Sequence, residues 1–112
     1  MRLTNQLIEM PPQYNLTGLI TVNGKHPTVL VEAYLEDLIE EWYARGHNFC
    51  YFKDTKGVFN SGVDMYYDVK RVLERLNEKY SPKLLIWWLE NEPYRLSLYR
   101  EGTTNPVTYY EL

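Results

Sequence analysis

The chain has 112 residues, close to the usual size of one folded domain, and we expect a single globular domain over 1–112. Apolar residues make up 45% and charged residues 24%, a composition that excludes disordered and fibrous chains. The formal net charge of −3 argues against direct nucleic-acid binding, which needs a basic surface. No apolar run approaches the roughly 20 residues of a membrane helix. The first ten residues lack a secretory signal, and the lone Cys50 agrees with a reducing compartment, so we expect a cytoplasmic protein without a membrane partner.

The N-terminal part predicts an arm, a strand and a helix. Residues 1–14 form the arm, because the two prolines near its end interrupt helical spacing. Residues 16–22 are β-branched and apolar and precede the turn dipeptide Asn23-Gly24, which predicts a strand. Thr28 then caps an amphipathic helix that stops at Gly46. The alternative, in which 28–31 pairs with 16–22 as a hairpin, stays open. The apolar stripe of the helix is Val31, Tyr34, Leu35, Leu38, Ile39 and Trp42.

The middle of the chain predicts a hairpin and a second helix. Alternating residues on either side of a turn at 54–57 indicate strands near 48–53 and 57–60. Ser61 and Asp64 have the spacing of a capping box, and Ser81-Pro82 closes the helix that follows. The apolar stripe of this helix is Met65, Val69, Val72, Leu73, Leu76 and Tyr80.

The last third contains three strand-like runs, within 83–89, 94–100 and 107–112, separated by turns rich in Pro, Asn or Gly. These runs predict a C-terminal β-meander. The whole pattern predicts an α+β fold, in which two amphipathic helices pack on one face of an antiparallel sheet of about five or six strands.

No complete catalytic, metal or cofactor motif is present. Residues 85–94, LIWWLENEPY, resemble the acid/base strand end of barrel glycoside hydrolases, but such a barrel takes about 250 residues and needs a second, opposed carboxylate. His47 and Cys50 are three residues apart, an offset that points them to opposite faces of an extended strand. We therefore expect no cofactor, no metal and no enzymatic activity.

The first helix is strongly acidic. Residues 32–45 carry five acids against one arginine, a net charge of −4, whereas the whole chain carries −3. Such a stripe is typical of a solvated face, or of a surface that meets a basic partner. The acids that we select as candidate binding residues are Glu32, Glu36, Asp37 and Glu40.

Aromatic residues are the second candidate for recognition, since the chain has eleven tyrosines, three tryptophans and three phenylalanines. In the consecutive pairs Trp87-Trp88 and Tyr109-Tyr110 the two rings face opposite sides of a sheet, so one ring of each pair points away from the helices. The rings that we select as candidate anchors are Trp88, Tyr94, Tyr99 and Tyr110.

These features favour a non-enzymatic protein-binding module. It would act as a small inhibitor or adaptor of the phage or mobile-element type, and its target would present a basic surface, as nucleic-acid-binding enzymes do. One alternative is a small-ligand binder with a pocket lined by Tyr and Trp. Another is a structural subunit that forms a homodimer and buries its aromatic face there.

Overall fold

The computed structural model of the chain describes Tyr14 and residues 27–55, 57–88, 95–103 and 107–112. These residues confirm the α+β class. The predicted strand 16–22, its Asn23-Gly24 turn and the predicted arm, apart from Tyr14, lie outside the described residues. The elements in chain order are α1 (Thr28–Ala44), β1 (Phe49–Lys53), α2 (Gly62–Leu76), β2 (Leu84–Trp88), β3 (Arg95–Arg100) and β4 (Val107–Glu111).

The described strands form one mixed sheet in the order β2-β3-β1-β4. β1 pairs antiparallel with β3 and parallel with β4, and β2 pairs antiparallel with β3. The predicted meander is therefore wrong at its last step, because β4 crosses to the far side of β1 instead of returning beside β3. The prediction of five or six antiparallel strands is not confirmed, since the described residues supply four strands and one parallel pairing.

Core packing accounts for the position of β4. In the parallel register of β4 with β1, Tyr110 lies opposite Phe52. The two ring centroids are 5.8 Å apart, and both side chains are buried. The C-terminal residue is also fixed, because the Leu112 N–H donates to the Lys53 carbonyl at 3.0 Å and the Thr55 hydroxyl donates to the Leu112 carbonyl at 3.0 Å. Alternation within a strand identifies its faces but not its neighbours, so the sequence pattern could not predict this pairing.

The predicted hairpin in the middle of the chain is half correct. Its first strand is β1, but the predicted strand at 57–60 is a loop. The carboxylate of Asp54 accepts hydrogen bonds from the backbone N–H of Val58 at 2.7 Å and of Phe59 at 2.9 Å. A side chain thus provides the partner that a neighbouring strand would have provided. The side chains of Val58 and Phe59 are buried in the core.

Both helices begin and end close to the predicted positions. α1 starts at Thr28, so the helical interpretation of 28–31 is correct, although the N-cap position belongs to Pro27 and not to Thr28. Gly46, with φ +75, follows the end of α1. The Ser61 hydroxyl caps α2 by accepting from the Asp64 N–H at 3.1 Å, as predicted. α2 ends at Leu76, one turn before the half-buried Tyr80.

One face of the sheet and the apolar stripes of both helices form a single core. Strand alternation points Cys50, Phe52, Leu96 and Leu98 toward the helices, where all four are buried. The six predicted stripe residues of α1 are all buried, which confirms that stripe. The buried stripe of α2 is Met65, Val69, Val72, Leu73 and Leu76.

Tyr34 contributes a core hydroxyl that has no hydrogen-bond partner in the part of the chain that the structure describes. Burial raises the pKa of Tyr34 to about 12, from an ordinary value of 10.0. The unfolded chain therefore loses this proton at lower pH than the folded chain does. The contribution of Tyr34 to stability should be constant below pH 10 and should fall as pH rises from 10 toward 12.

The Tyr34→Phe variant should show a shallower alkaline decline, because it removes one of the groups whose pKa is raised in the folded chain. At pH 7 it should unfold at the same temperature or higher, since a hydroxyl without a partner stabilises nothing by hydrogen bonding. Circular dichroism melts from pH 7 to 12, with tyrosinate absorbance recorded in parallel, would measure both effects. A loss of more than about 1 kcal/mol at pH 7 would indicate a hydrogen bond to this hydroxyl.

Candidate functional site

The acidic residues of α1 face basic residues of the chain itself. Acids recur every four residues along α1, and bases recur at the same interval along α2 and the turn after it. Arg71 Nε lies 2.6 Å from Glu32 Oε1, Arg75 Nη2 lies 3.3 Å from Glu36 Oε2, and Lys79 Nζ lies 3.2 Å from Glu40 Oε1. We call these six residues the interhelix ladder.

The interhelix ladder changes the interpretation of the predicted acidic site. Glu32, Glu36 and Glu40 are candidate binding residues by sequence, yet each has an intramolecular ion pair. Asp37, the fourth candidate, accepts a hydrogen bond from the Tyr14 hydroxyl, and this bond raises the pKa of Tyr14. The ladder offsets the repulsion among the like charges of α1. Because its basic side chains are largely exposed, each pair contributes only about 0–1 kcal/mol.

The ladder predicts a specific charge-reversal result. Glu36→Lys places a cation against Arg75 and should lower the free energy of unfolding by about 1 kcal/mol, and Arg75→Glu should do the same by placing a carboxylate against Glu36. The double variant should recover most of the loss because it restores an ion pair. Urea denaturation at low salt would measure all four proteins.

Glu74→Lys, on the exposed surface of α2 and outside the ladder, is the charge-matched control for Glu36→Lys. High salt should shrink the coupling energy between positions 36 and 75. If the effects of the two single changes simply add in the double variant, the Glu36–Arg75 ion pair does not contribute to stability.

The second surface is the face of the sheet opposite the core, which we call the open face. Three cross-strand rows follow from the registers. The central row runs from Trp87 through Ser97 and Tyr51 to Tyr109, and the next row includes Leu85, Tyr99 and Phe49. The third row is charged, with Arg95, Lys53 and Glu111. Trp87 is 57% exposed, and most of the other rings are half-buried.

Ring contacts join the aromatic residues of the open face. Phe49 and Tyr51 meet edge to face with centroids 5.0 Å apart, Tyr51 stacks on Tyr109 at 5.3 Å, and Phe49 stacks on Tyr99 at 6.4 Å. The Arg95 guanidinium lies 5.8 Å from the centre of the Tyr51 ring. Rings that support one another across three strands form a surface with few accessible rotamers.

Ser97 is the one small side chain in the central row. It is fully buried, and its hydroxyl has no hydrogen-bond partner among the described residues. Its strand neighbours in register are Trp87 and Tyr51. The aromatic surface thus has a polar atom at its centre, beneath the level of the rings.

The four candidate anchors fall in different environments. Tyr99 lies on the open face, whereas Tyr94 lies outside the described residues. Tyr110 is 0% exposed, and Trp88 is half-buried on the helix side, with its ring 5.8 Å from that of Tyr66. The choice of Trp88 and Tyr110 is therefore corrected: one ring of each consecutive pair points outward, as expected, but these rings belong to Trp87 and Tyr109.

The sequence indicates which ring of a consecutive aromatic pair faces outward in β4, but not in β2. In β4, Glu111 shares a face with Tyr109, and a charged residue at that position marks the face that is not in the core. In β2 every residue from Leu84 to Trp88 is apolar, so its two faces look alike in sequence. The positions of the helices then decide which tryptophan is covered.

The two reactive side chains considered in the sequence, Cys50 and His47, are both buried. Cys50 is 0% exposed, and burial raises the pKa of its thiol well above the ordinary value. His47, which follows α1, is buried, and burial and then the charges of Arg45 and Arg100 lower its pKa. Over the described ranges, no group of three or more His, Cys, Asp or Glu side chains could hold a metal ion. Neither α1 nor α2 has the length and apolar content that crossing a membrane requires.

Comparison with protein-family models, curated proteins and solved structures found no match to this chain. The assignment of function therefore depends on the geometry of these two surfaces.

Proposed function

We propose that this chain is a non-enzymatic binding module that docks a partner protein through its open face. The observation that supports the proposal is the joined aromatic surface, at whose edge Trp87 is 57% exposed. Contiguous half-buried rings beside an exposed tryptophan are uncommon on the surface of a monomer unless they serve recognition. Tyrosine and tryptophan are also the residues that most often dominate the energy of protein interfaces.

Several features favour a protein partner over single-stranded nucleic acid. The charged row of the open face mixes Arg95 and Lys53 with Glu111, so it offers no continuous basic track for phosphates. Tyr51, Tyr109 and Tyr99 already stack on neighbouring rings and present edges and hydroxyls more than free faces. Such rings suit apolar side chains and backbone groups of a protein surface.

The open face is small for a permanent homodimer. Four strands about 4.8 Å apart and five residues at about 3.4 Å each give a footprint of about 300 Å². Standard interfaces bury about 800 Å² on each partner, and obligate homodimers bury more. The area therefore favours a small, reversible contact over a permanent dimer, as a transiently bound adaptor requires.

The acidic residues of α1 bear on the choice of partner through long-range electrostatics. α1 has five acids and no base between Thr28 and Ala44, but it covers the opposite side of the sheet from the open face. A flat partner cannot contact both surfaces at once. The net negative charge of the chain as a whole would instead attract a partner with a basic surface, such as a nucleic-acid-binding enzyme, and raise the association rate.

Substitutions on the open face test the proposal. The immobilised protein is first used to capture its partner from extracts of the source organism, and the captured partner is identified by mass spectrometry. The partner is then purified, and its affinity for each variant is measured by calorimetric titration. Trp87→Ala should weaken binding at least about 30-fold, which corresponds to about 2 kcal/mol, and Tyr109→Ala should weaken it as well. Both variants should keep the wild-type melting temperature within a few degrees, because neither ring is in the core.

Val63→Ala is the matched control, because Val63 is an exposed apolar residue of α2 on the other layer and should not affect affinity. Raising the salt concentration should lower the association rate and leave the dissociation rate nearly unchanged. Equal affinity of wild type, Trp87→Ala and Tyr109→Ala would rule out the open face. If sedimentation shows a dimer that Trp87→Ala dissociates, the open face joins two copies of the chain instead.

A further inference from the structure

A cleft of about 320 Å³ opens on the helix side of the sheet, where the start of α1, the start of α2 and the loop before α2 meet. The buried side chains of Val58 and Phe59 form its floor. One stripe of α2 forms a wall, with Asp64, Tyr67, Asp68 and Arg71 on successive turns. The volume lies at the lower end of the range for small-ligand sites, about 300–1,000 Å³.

Local hydrogen bonds hold the floor and the wall in place. The floor is fixed because the Asp54 carboxylate binds the N–H groups of Val58 and Phe59. The Tyr67 ring, 51% exposed, is supported edge to face by Tyr66 at 5.3 Å. The cleft is thus formed by the fold itself and does not require a rearrangement to accept a ligand.

The charges of the cleft favour a cation. Its described lining has two carboxylates, Asp64 and Asp68, and one guanidinium, Arg71. That guanidinium already bonds to Asp68 and to Glu32, so two carboxylates meet its positive charge and an anion would gain little from it. A cation would gain from the excess of carboxylates over guanidinium groups in this lining and from the electron-rich Tyr67 ring.

We propose that this cleft binds a small organic cation, a guanidinium or ammonium group on a short aliphatic stem. The stem packs on Val58 and Phe59, and the charged head lies between the Asp68 carboxylate and the Tyr67 ring, with Asp64 beside it. The same group occurs in free amines and in the arginine and lysine side chains of proteins. The site is on the helix side, so it is independent of the open face.

Two matched pairs of probes test the proposal. n-Butylguanidinium is compared with n-butylurea, which has the same shape and no charge, and acetyl-Gly-Arg-Gly-amide is compared with its citrulline counterpart. Each probe is titrated at constant ionic strength into the isotope-labelled protein, and amide shifts are followed by NMR. The guanidinium probe should give saturable shifts centred on Val58, Phe59 and Tyr67 with a millimolar Kd, and the urea should bind at least about tenfold more weakly.

Variants of the wall complete the test. Asp68→Asn should weaken n-butylguanidinium about tenfold, and Tyr67→Ala should weaken it measurably while leaving the melting temperature nearly unchanged, because Tyr67 is exposed. Glu74→Gln, which removes a carboxylate elsewhere on α2, is the control and should not change the Kd. Tighter binding of the arginine peptide than of the free cation would identify a protein side chain as the ligand, and the reverse would identify a free amine. Shifts that do not saturate, that centre on the interhelix ladder, or that are equal for the urea would overturn the proposal.

Discussion

In the described residues the two helices pack on one face of the sheet, and the other features of the fold follow from this arrangement. Strand β1 lies between β3 and β4. Its residues Cys50 and Phe52 point into the core, whereas Phe49 and Tyr51 point away from it. Two helices are enough to cover one face of a four-stranded sheet, and both are used there. A chain with seventeen aromatic residues cannot place all of them in so small a core, so several rings remain on the other face. The open face is thus a direct consequence of this layer arrangement.

The charges follow the same division into layers. The acidic stripe of α1 would repel itself in isolation, but packing beside α2 places Glu32 and Glu36 against Arg71 and Arg75. Arg71 connects the ladder to the cleft, since it also bonds to Asp68. The ion pairs of the interhelix ladder therefore lie on the helix side of the domain, and the contacting aromatic rings lie on the open face. Separate surfaces with different chemistry on opposite sides suit a protein that brings different partners or ligands together.

Much of the local structure could be predicted from residue patterns. The helical period predicted every buried residue of α1, and residue types at the helix ends predicted the Ser61 cap and the glycine that follows α1. These features depend on contacts within a few residues. The loop at 57–60 was predicted as a strand because an alternating pattern cannot show that Asp54 binds the backbone of Val58 and Phe59. The alternation of Trp87 with Trp88 and of Tyr109 with Tyr110 was also predictable, but which ring faces outward was not.

Residue patterns were enough to predict the class of fold, the two amphipathic helices, the strand character of β1 to β4 and the surplus of aromatic and acidic side chains. The order of the strands could not be predicted in this way, since the parallel pairing of β1 with β4 joins residues more than fifty positions apart. The tertiary structure also decided that the acids of α1 have partners on α2, that Trp87 and Tyr109 form the open face, and that a cleft exists beside Tyr67. The physical reason is the same in each case: periodicity describes the faces of one element, whereas pairing, ion pairs and clefts depend on how two elements pack together.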